Sequence, residues 1–449
     1  MYEGMTTTAP ESPSLTTTAI TAPAGVKSLP MLANSIALIM GKLATMGLGF
    51  LAWLAAARLF DQREVGLASG AVSAMMLCVQ IALFGAGAAV ITLYPRHRSN
   101  PQRLLNASFT LVTLASLLVA GAFLVIAALF LDQLDVIARR PAYALAFVVM
   151  AVSGTLCVLL DQFSTALRRG DQALVRGIVT GIVTLALVVL LPVGLNAESA
   201  LALLVAWAIG NTAPVLVGAW QVHRSLPEYR FRVQVDLPLF RLINKVGLPN
   251  WVLTLTERAP GAILPVVVIE ILSPQANAAW YAAWMMAWVV YIVPIQVGLN
   301  LFAEAAHRPE EMGKALRQGV LTSLVIGIGS AIAAAVIGPY LLEFLGSGYA
   351  DAGTTPLRIL LVAVVPFTFV QAYFAICRSQ LMLREAIVVG TISAVTGIGG
   401  AAIAGRHHGL NGMATVWLVT QSAVSLWAIY RLRMLRTLTA SAGEARVAA

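Results

Sequence analysis

Charged side chains are scarce in this sequence: Asp, Glu, Lys and Arg make up 11% of its 449 residues, whereas 59% are hydrophobic. The mean hydropathy is +0.84. A chain of this composition has too little polar surface to cover a water-soluble globule. The composition therefore excludes a soluble globular protein and predicts that lipid is the solvent for most of the chain.

Cysteine is also rare: the sequence contains only Cys78, Cys157 and Cys377, and all three lie inside apolar runs. This arrangement excludes a disulfide framework, and the spacing is not that of a metal site. No phosphate-binding glycine loop is present either. We therefore expect no metal and no cofactor.

Long connections are also missing, since the longest, near 223–247, has about 25 residues. A membrane-embedded polymerase or glycosyltransferase normally carries its catalytic groups on a substantial outer loop, and none of the connections is that large. We therefore predict that the protein is not an enzyme.

What the sequence does contain is a series of apolar runs about 20 residues long, the length that a helix needs to cross a bilayer. They predict an all-α polytopic membrane protein of about twelve transmembrane helices. The expected spans are 32–57, 65–93, 104–131, 141–167, 173–195, 199–222, 248–272, 276–303, 315–341, 356–377, 385–405 and 409–431. Residues 1–30, rich in Thr, Ala, Pro and Ser, predict a disordered tail. We expect no cleavable signal peptide, because no basic segment followed by a short apolar core precedes the first span.

The basic residues follow the topology of these spans. Of the 29 Lys and Arg, 21 lie after even-numbered spans or in the two tails, which places both termini in the cytoplasm. The net charge of +9 therefore does not indicate nucleic acid as a partner. One basic stretch, HRSLPEYRFRVQ, has two interpretations, a patch that binds lipid headgroups or an ordinary solvated cytoplasmic loop.

A weak internal repeat divides the chain into two halves. A shift of 212 residues places ARLFDQREVGLASG over IEILSPQANAAWYAA, so that span one matches span seven. Two parallel six-helix repeats are expected to hold a substrate site at their interface near mid-membrane. The predicted organisation is a cytoplasmic tail, an N-terminal lobe, a cytoplasmic linker, a C-terminal lobe and a second tail, with the bounds 1–30, 31–222, 223–247, 248–435 and 436–449.

Three charged residues lie near the middle of the predicted spans: Lys42 in span one and the neighbours Glu257 and Arg258 in span seven. A charge at the centre of a membrane helix costs about 2.5–3.5 kcal/mol and usually faces water or a partner. All three are therefore candidates for substrate binding. For Lys42 the alternatives are snorkelling toward headgroups and a salt bridge with Glu257. Glu257 and Arg258 are adjacent on the helix and point about 100° apart, so we do not expect them to pair.

Polar residues accompany these charges. Asn250 and Thr254 belong to the same face of span seven, and Pro249, Pro260 and Pro265 predict that the helix is bent or broken. A static kink is the alternative.

Span eight has an aromatic stripe followed by a polar one. The stripe Trp280, Trp284 and Trp288 predicts stacking on sugar rings, and Gln296 and Asn300 predict hydrogen bonds to sugar hydroxyls. The alternative is that the stripe forms an interfacial belt and contacts lipid.

Four segments carry a family resemblance: AAWYAAWMMAWVVYIVPIQVGLNLFAEAA, ARLFDQREVGLASG, LLEFLGSGYADAGTTPLRILLVAVVPF and HHGLNGMATVWLVTQSAVSLW. They resemble bacterial polysaccharide-export or O-antigen flippases of the multidrug/oligosaccharidyl-lipid/polysaccharide exporter superfamily. The resemblance covers nearly all of residues 31 to 435. It implies two six-helix lobes around a central cavity, and a polyprenyl-pyrophosphate-linked oligosaccharide carried from the cytoplasmic to the outer leaflet of a bacterial inner membrane for cell-surface polysaccharide assembly. On such a fold Lys42 and Arg258 would lie on cavity-lining helices, where they would offset the pyrophosphate charge.

The expected mechanism is alternating access, with the prenyl tail left in lipid. If an ion gradient drives transport, Glu257, Glu304 and Asp161 are the carboxylates that could change state, although Asp161 is also placed to pair with Arg168. The rival function is a cation-coupled multidrug antiporter of the same superfamily. The expected partners are the lipid-linked oligosaccharide and membrane lipid; a contact with the polysaccharide synthesis or polymerisation machinery, the identity of the sugar, the coupling ion and the oligomeric state stay open.

Overall fold

The computed structural model describes residues 31–97, 101–307 and 312–447, with side chains over 40–41, 44–95, 101–302 and 312–434. Every regular element in these ranges is a helix. The predicted tail at 1–30 and the side chains of Lys42 and Glu304 lie outside the described residues.

Fourteen α-helices occupy the described chain, and a short 3₁₀ turn follows the third of them. In the N-terminal half they are α1 Met31–Leu59, α2 Gln62–Leu83, α3 Ala86–Leu93, α4 Pro101–Phe130, α5 Asp135–Arg139, α6 Pro141–Ala166, α7 Gly170–Leu195 and α8 Ala200–Ser225. In the C-terminal half they are α9 Leu237–Ile271, α10 Pro274–His307, α11 Met312–Leu345, α12 Ser347–Val362, α13 Val364–Ser379 and α14 Leu383–Val447.

The helices confirm a polytopic membrane protein. Nine of those described are long and apolar enough to cross a bilayer, or ten if the bent pair α12 and α13 is one span. The part of α14 with described side chains, Leu383–Met434, is 52 residues long, enough for two crossings, and its backbone leaves the helical conformation at Gly409 (φ 57°). With α1, in which the described stretch Ala44–Leu59 is apolar, these helices account for the twelve predicted spans.

We name the two faces of the molecule by the chain ends. The terminal face is the one at which α1 begins and α14 ends, and the far face lies opposite. Arg431, among the last residues of α14 whose side chains are described, forms a 2.6 Å ion pair with Glu385 in the first turn of the same helix. This contact brings both ends of α14 to the terminal face.

Span two is interrupted, which the sequence pattern did not predict. Phe84 and Gly85 between α2 and α3 both have positive φ values, 41° and 80°. A side chain at Gly85 would overlap the backbone of Gly247 on α9, and a side chain at Gly247 would overlap the carbonyl of Gly85. The close approach of the two backbones therefore requires glycine at both positions.

α9 differs from the prediction in two ways. It begins at Leu237, eleven residues before the predicted span, because the Asp236 carboxylate caps the Leu239 amide and Pro238 occupies the first turn, where a proline costs no hydrogen bond. It also stays helical through Pro249, Pro260 and Pro265, so the helix is not broken there, while the predicted bend and the alternative of a static kink stay predictions.

The two halves meet along α2, which packs against both α9 and α10. Small residues allow the contact: the Cβ of any side chain at Gly66 would overlap the carbonyl oxygen of Pro274. Next to it, the Asn277 side-chain amide donates to the Gly66 carbonyl (2.8 Å) and to the Ser69 hydroxyl (3.1 Å). These contacts fix α2 against the beginning of α10.

Substituting Gly66→Ala is expected to destabilise the protein by about 1–3 kcal/mol, because the added methyl group has no space at the α2–α10 contact. Thermal unfolding in detergent measures this as a lower midpoint. The matched control is Gly121→Ala in the middle of α4, where no atom lies within 4 Å of the new methyl group. Equal midpoints for the two variants would contradict the packing argument.

Candidate substrate site

Arg258 lies in the middle of α9, thirteen residues or about 20 Å before its far-face end. Its side chain is exposed, and no hydrogen bond or ion pair joins it to another described residue. Gly247 and Trp251, which precede it by eleven and seven residues on the same helical face, contact α2 and α3. Arg258 therefore faces the N-terminal half from a position near mid-membrane.

Glu257 points to the other side of α9 and pairs with Arg378 of α13. The Glu257 Oε2 atom accepts a 2.5 Å hydrogen bond from Arg378 Nη2, and the two side chains are only 16% and 18% exposed. The second carboxylate oxygen of Glu257 is buried without a hydrogen-bond partner among the described residues. The expectation that Glu257 does not pair with its neighbour Arg258 holds, and its partner is an arginine from another span.

Asn250 and Thr254 continue the polar face of α9 toward the terminal face. The Thr254 hydroxyl donates to the Asn250 carbonyl (2.9 Å), and the Asn250 side chain is exposed. Thr254 lies one turn before Arg258, whereas Asn250, two turns before it, is displaced by about 80° toward the side of Glu257, so the three residues form an oblique polar strip on α9. We call these three residues the α9 strip. Their role in substrate binding stays a prediction.

The tryptophan stripe of α10 lies mostly inside the C-terminal half. Trp284 is buried, with its ring stacked between those of Trp280 and Trp288 and edge-on to Trp417 of α14. Its ring is covered by protein in this conformation and leaves no face for a sugar. Trp288 is half-buried.

Two further predicted contacts lie on α10 toward the terminal face. Gln296 is half-buried and Asn300 is exposed. Both follow the tryptophans by more than two turns, so they are separate from the aromatic cluster. The substrate-binding assignment of Trp284, Trp288, Gln296 and Asn300 stays a prediction.

Asp161 belongs to a buried network in the N-terminal half. Its carboxylate accepts a 2.7 Å bond from Arg176 of α7, which also donates to Gln221 (2.5 Å) and Ser164 (2.8 Å). Arg176 is 1% exposed, whereas Asp161 is 46% exposed. The expected ion pair of Asp161 is therefore present, but the partner is Arg176 from the next helix rather than Arg168.

Sequence patterns missed both arginines of these ion pairs. Arg176 and Arg378 lie near span ends, where a basic residue is explained by membrane topology alone. The only signal in the sequence was that Asp161 and Glu257, both inside predicted spans, each required a basic partner.

The far face is closed by contacts between the halves. The Glu270 carboxylate, near the end of α9, accepts hydrogen bonds from the backbone amides of Asp132, Gln133 and Leu134 at 2.7, 3.1 and 3.0 Å. The Gln62 side chain adds a 3.0 Å bond to the Gln275 carbonyl. A carboxylate that satisfies three amides joins α9 firmly to the loop after α4.

Substituting Glu270→Ala is expected to open the far face, because it leaves the three amides without an acceptor. Spin labels at Ala142 and Gln275, exposed on opposite halves at this face, report the change as a longer-distance population in pulsed electron resonance. Glu343→Ala, an exposed glutamate at the same face, is the control. An unchanged distance distribution for Glu270→Ala would show that other contacts hold the face closed.

A second feature of the inter-half space is a small apolar cleft between the far-face halves of α1 and α10. It is lined by apolar and aromatic side chains, among them Phe50, Leu54, Tyr281 and Met285. Arg258 does not line it. The charged and apolar parts of the inter-half space are therefore separate. Among the described residues, no group of three or more His, Cys, Asp or Glu could hold a metal ion.

Comparison with known proteins gives a consistent result. A family model described as polysaccharide biosynthesis protein matches residues 31–309, more than half of the chain. No curated protein matches this sequence.

Among solved structures, an inward-facing multidrug resistance MATE family transporter of the MOP superfamily is similar over 90% of this chain and 99% of its own, with a TM-score of 0.66 and 13% identity. The lipid II flippase MurJ in an inward closed conformation is similar over 90% of this chain and 87% of its own, with a TM-score of 0.66 and 13% identity. A MOP superfamily transporter from Pyrococcus furiosus, described as having a binding pocket of reverse polarity, covers 96% of its own length and 90% of this chain, with a TM-score of 0.58 and 14% identity. At these identities the likeness shows the fold, which is that of a membrane transporter with two helical halves.

Proposed function

The chain belongs to the polysaccharide biosynthesis protein family, and from this membership we propose that it is a flippase for a polyprenyl-pyrophosphate-linked oligosaccharide. The solved lipid II flippase of the same fold supports the substrate class, because its printed name describes a lipid-linked cargo. The one observation that carries the proposal at the level of residues is Arg258, an exposed cation near mid-membrane that faces the opposite half.

The substrate class fits the separation of polar and apolar surfaces. The pyrophosphate binds Arg258, because a guanidinium presents a planar fork of donors to phosphate oxygens. The sugar moves along the α9 strip, where Asn250 and Thr254 offer hydrogen-bonding groups. The apolar lining of the cleft between α1 and α10 is compatible with contact to an isoprenoid chain. Lys42 is proposed as the second cation from its sequence position.

The orientation follows from the basic residues. The arginines near the terminal face support a cytoplasmic location for this face, in a membrane that we propose is a bacterial inner membrane. Contacts through Glu270 and Gln62 close the opposite, outer face. These contacts support a conformation that receives cargo from the cytoplasm, and on this proposal transport requires them to break while the cytoplasmic side closes.

For coupling to an ion gradient, Glu257 is the first candidate. Its carboxylate is less exposed than that of Asp161 and keeps one oxygen without a partner among the described residues. Neutralising Glu257 would release Arg378 and change the charge beside Arg258. Glu304 remains a candidate from the sequence. No covalent chemistry on the cargo is proposed.

The rival is a cation-coupled multidrug antiporter, which has the same fold. An antiporter for cationic drugs needs net negative charge at its site, whereas the α9 strip ends in an arginine and Glu257 is neutralised by Arg378. The charge balance favours an anionic cargo.

Transbilayer movement of a fluorescent polyprenyl-pyrophosphate oligosaccharide in proteoliposomes tests the proposal. We expect movement that depends on the protein and on the pyrophosphate, so that a matched neutral polyprenyl glycoside moves more slowly. Transport of cationic drugs without movement of the lipid-linked sugar would instead assign the protein to the antiporters. A chemically altered glycan would show an enzyme.

A further inference from the structure

The connection between the two halves, residues 226–236 between α8 and α9, has no regular secondary structure beyond a turn. We call it the strap. It lies at the terminal face against the first three turns of α4. Side chains of α4 satisfy its backbone: Asn106 donates to the Arg230 carbonyl (3.1 Å) and accepts from the Arg232 amide (3.3 Å), and Thr110 accepts from the Gln234 amide (3.0 Å).

Two side-chain contacts secure the same arrangement. The Tyr229 hydroxyl donates to Asn106 at 2.8 Å, and Arg103 forms a 2.6 Å ion pair with Asp236. The Arg103 guanidinium holds the pKa of the Asp236 carboxyl below its usual value. The strap is therefore bonded to α4 at several points along its length.

Every second residue at the end of the strap is apolar and turned outward. Phe231, Val233, Val235 and Leu237, the first residue of α9, are 63%, 75%, 65% and 62% exposed. Single exposed apolar residues are common, but four in strict alternation form one continuous apolar row. Exposure of this row to water is unfavourable because its side chains are apolar. No described part of the protein covers it.

Basic and aromatic side chains surround the row. Arg224, Arg230 and Arg232 are exposed, and Arg224 lies 5.4 Å from the ring centre of Trp220 in the last turns of α8. An exposed tryptophan paired with an arginine at a helix end is typical of the lipid headgroup layer. The row is therefore bordered by groups that bind phosphate.

The depth of the strap agrees with that layer. Thr110, its deepest partner, is nine residues or about 14 Å from the start of α4. The exposed leucines of α4 begin one turn later at Leu114. The strap therefore lies at the boundary between the polar and the lipid-facing parts of α4.

We propose that the strap is an interfacial anchor, in which the apolar row enters the acyl boundary of the leaflet at the terminal face and the arginines bind phosphates of anionic lipids. The row continues the lipid-facing surface of α4, and its basic border is complementary to an anionic leaflet. Because the strap joins the two halves, this anchor holds their junction at a fixed depth. The inference goes beyond the proposed transport function and does not depend on its substrate.

Site-directed spin labelling tests this proposal in nanodiscs, in a background where the three native cysteines are replaced by alanine. Labels at Val233→Cys and Val235→Cys are compared with Leu118→Cys, a lipid-facing control on α4, and Glu228→Cys, an exposed control at the start of the strap. In discs with anionic phosphatidylglycerol, we expect Val233 and Val235 to be reached by oxygen rather than by an aqueous nickel reagent. In purely neutral lipid, or with Arg224, Arg230 and Arg232 all changed to Gln, we expect these labels to become more accessible to the nickel reagent and less accessible to oxygen.

Three results would overturn the proposal. Nickel access equal to that at Glu228 would show a solvated loop. Protection from both reagents would show a protein-covered surface. The same depth of the labels at Val233 and Val235 in neutral and anionic discs would show that the arginines do not bind anionic lipids. If the cysteine-free background does not fold, amide hydrogen exchange of the unmodified protein decides the question: we expect slower exchange over 226–237 in anionic discs, and equal exchange overturns the inference.

Discussion

Arg258→Gln is expected to slow the transbilayer movement of a polyprenyl-pyrophosphate oligosaccharide by about tenfold to a hundredfold. A charge-assisted hydrogen bond contributes about 1.5–3 kcal/mol. Among the described residues Arg258 has no ion-pair partner, so its substitution leaves no described carboxylate without a partner and the expected effect is the loss of the bond to the cargo. Because the side chain is exposed, its removal leaves the packing of α9 unchanged. Flipping by proteoliposomes measures the effect, with thermal unfolding to verify that the variant folds.

Two variants sharpen this test. Arg258→Lys keeps the charge but not the planar fork, so it is expected to give an intermediate rate. Arg241→Gln makes the same chemical change at an exposed position on the same helix, near the terminal face, and is expected to leave the rate close to that of the unaltered protein. A folded Arg258→Gln variant with an unaltered rate would rule out pyrophosphate binding at this residue. Equal loss for both glutamine variants would indicate a general effect of surface charge.

Arg378→Ala is expected to destabilise the protein by about 3–5 kcal/mol. The substitution removes the only described partner of the Glu257 carboxylate and leaves a nearly buried charge uncompensated inside the membrane. The double variant Glu257→Gln with Arg378→Gln removes both charges and is expected to recover a large part of the loss. Thermal unfolding in detergent measures both changes.

Arg384→Ala provides the matched control, since Arg384 is an exposed arginine at the same face in the first turn of α14. It is expected to leave the unfolding midpoint within the range of ordinary surface substitutions, about 0.5 kcal/mol. If Arg378→Ala were no more destabilising than Arg384→Ala, the Glu257 carboxylate would have to be neutral or paired elsewhere. If Arg378→Ala were fully stable but no longer flipped the cargo, Arg378 would have a role in transport rather than in stability.

Periodicity and length predicted most of the fold because each span must be apolar over the full thickness of the hydrocarbon layer. The prediction missed the break at Phe84 and Gly85, which depends on the close approach of Gly247 from the other half rather than on local sequence. It also missed the early start of α9, where the capping Asp236 and Pro238 begin a helix outside the apolar run.

The candidate site was predicted less completely. Charge and depth identified Glu257 and Arg258, but no sequence pattern states which face of a helix looks at a neighbour. Trp284 shows the limit: a residue repeated every four positions forms one stripe, and that stripe is equally compatible with a cavity, with lipid or with the interior, where the structure places it. Arg378 escaped for a related reason, since its partner is 121 residues away.

The backbone contacts of Gly66 with Pro274 and of Gly85 with Gly247 join the halves at both ends of α2. The molecule consequently has two different edges in the plane of the membrane. Along α2 the two halves are in close backbone contact. At the other edge, α1 and α10 line the apolar cleft. On the proposed function, a lipid-tethered cargo that keeps its tail outside the protein enters along the second edge. On the same proposal, an enzyme that hands over such a cargo would approach the protein from that side.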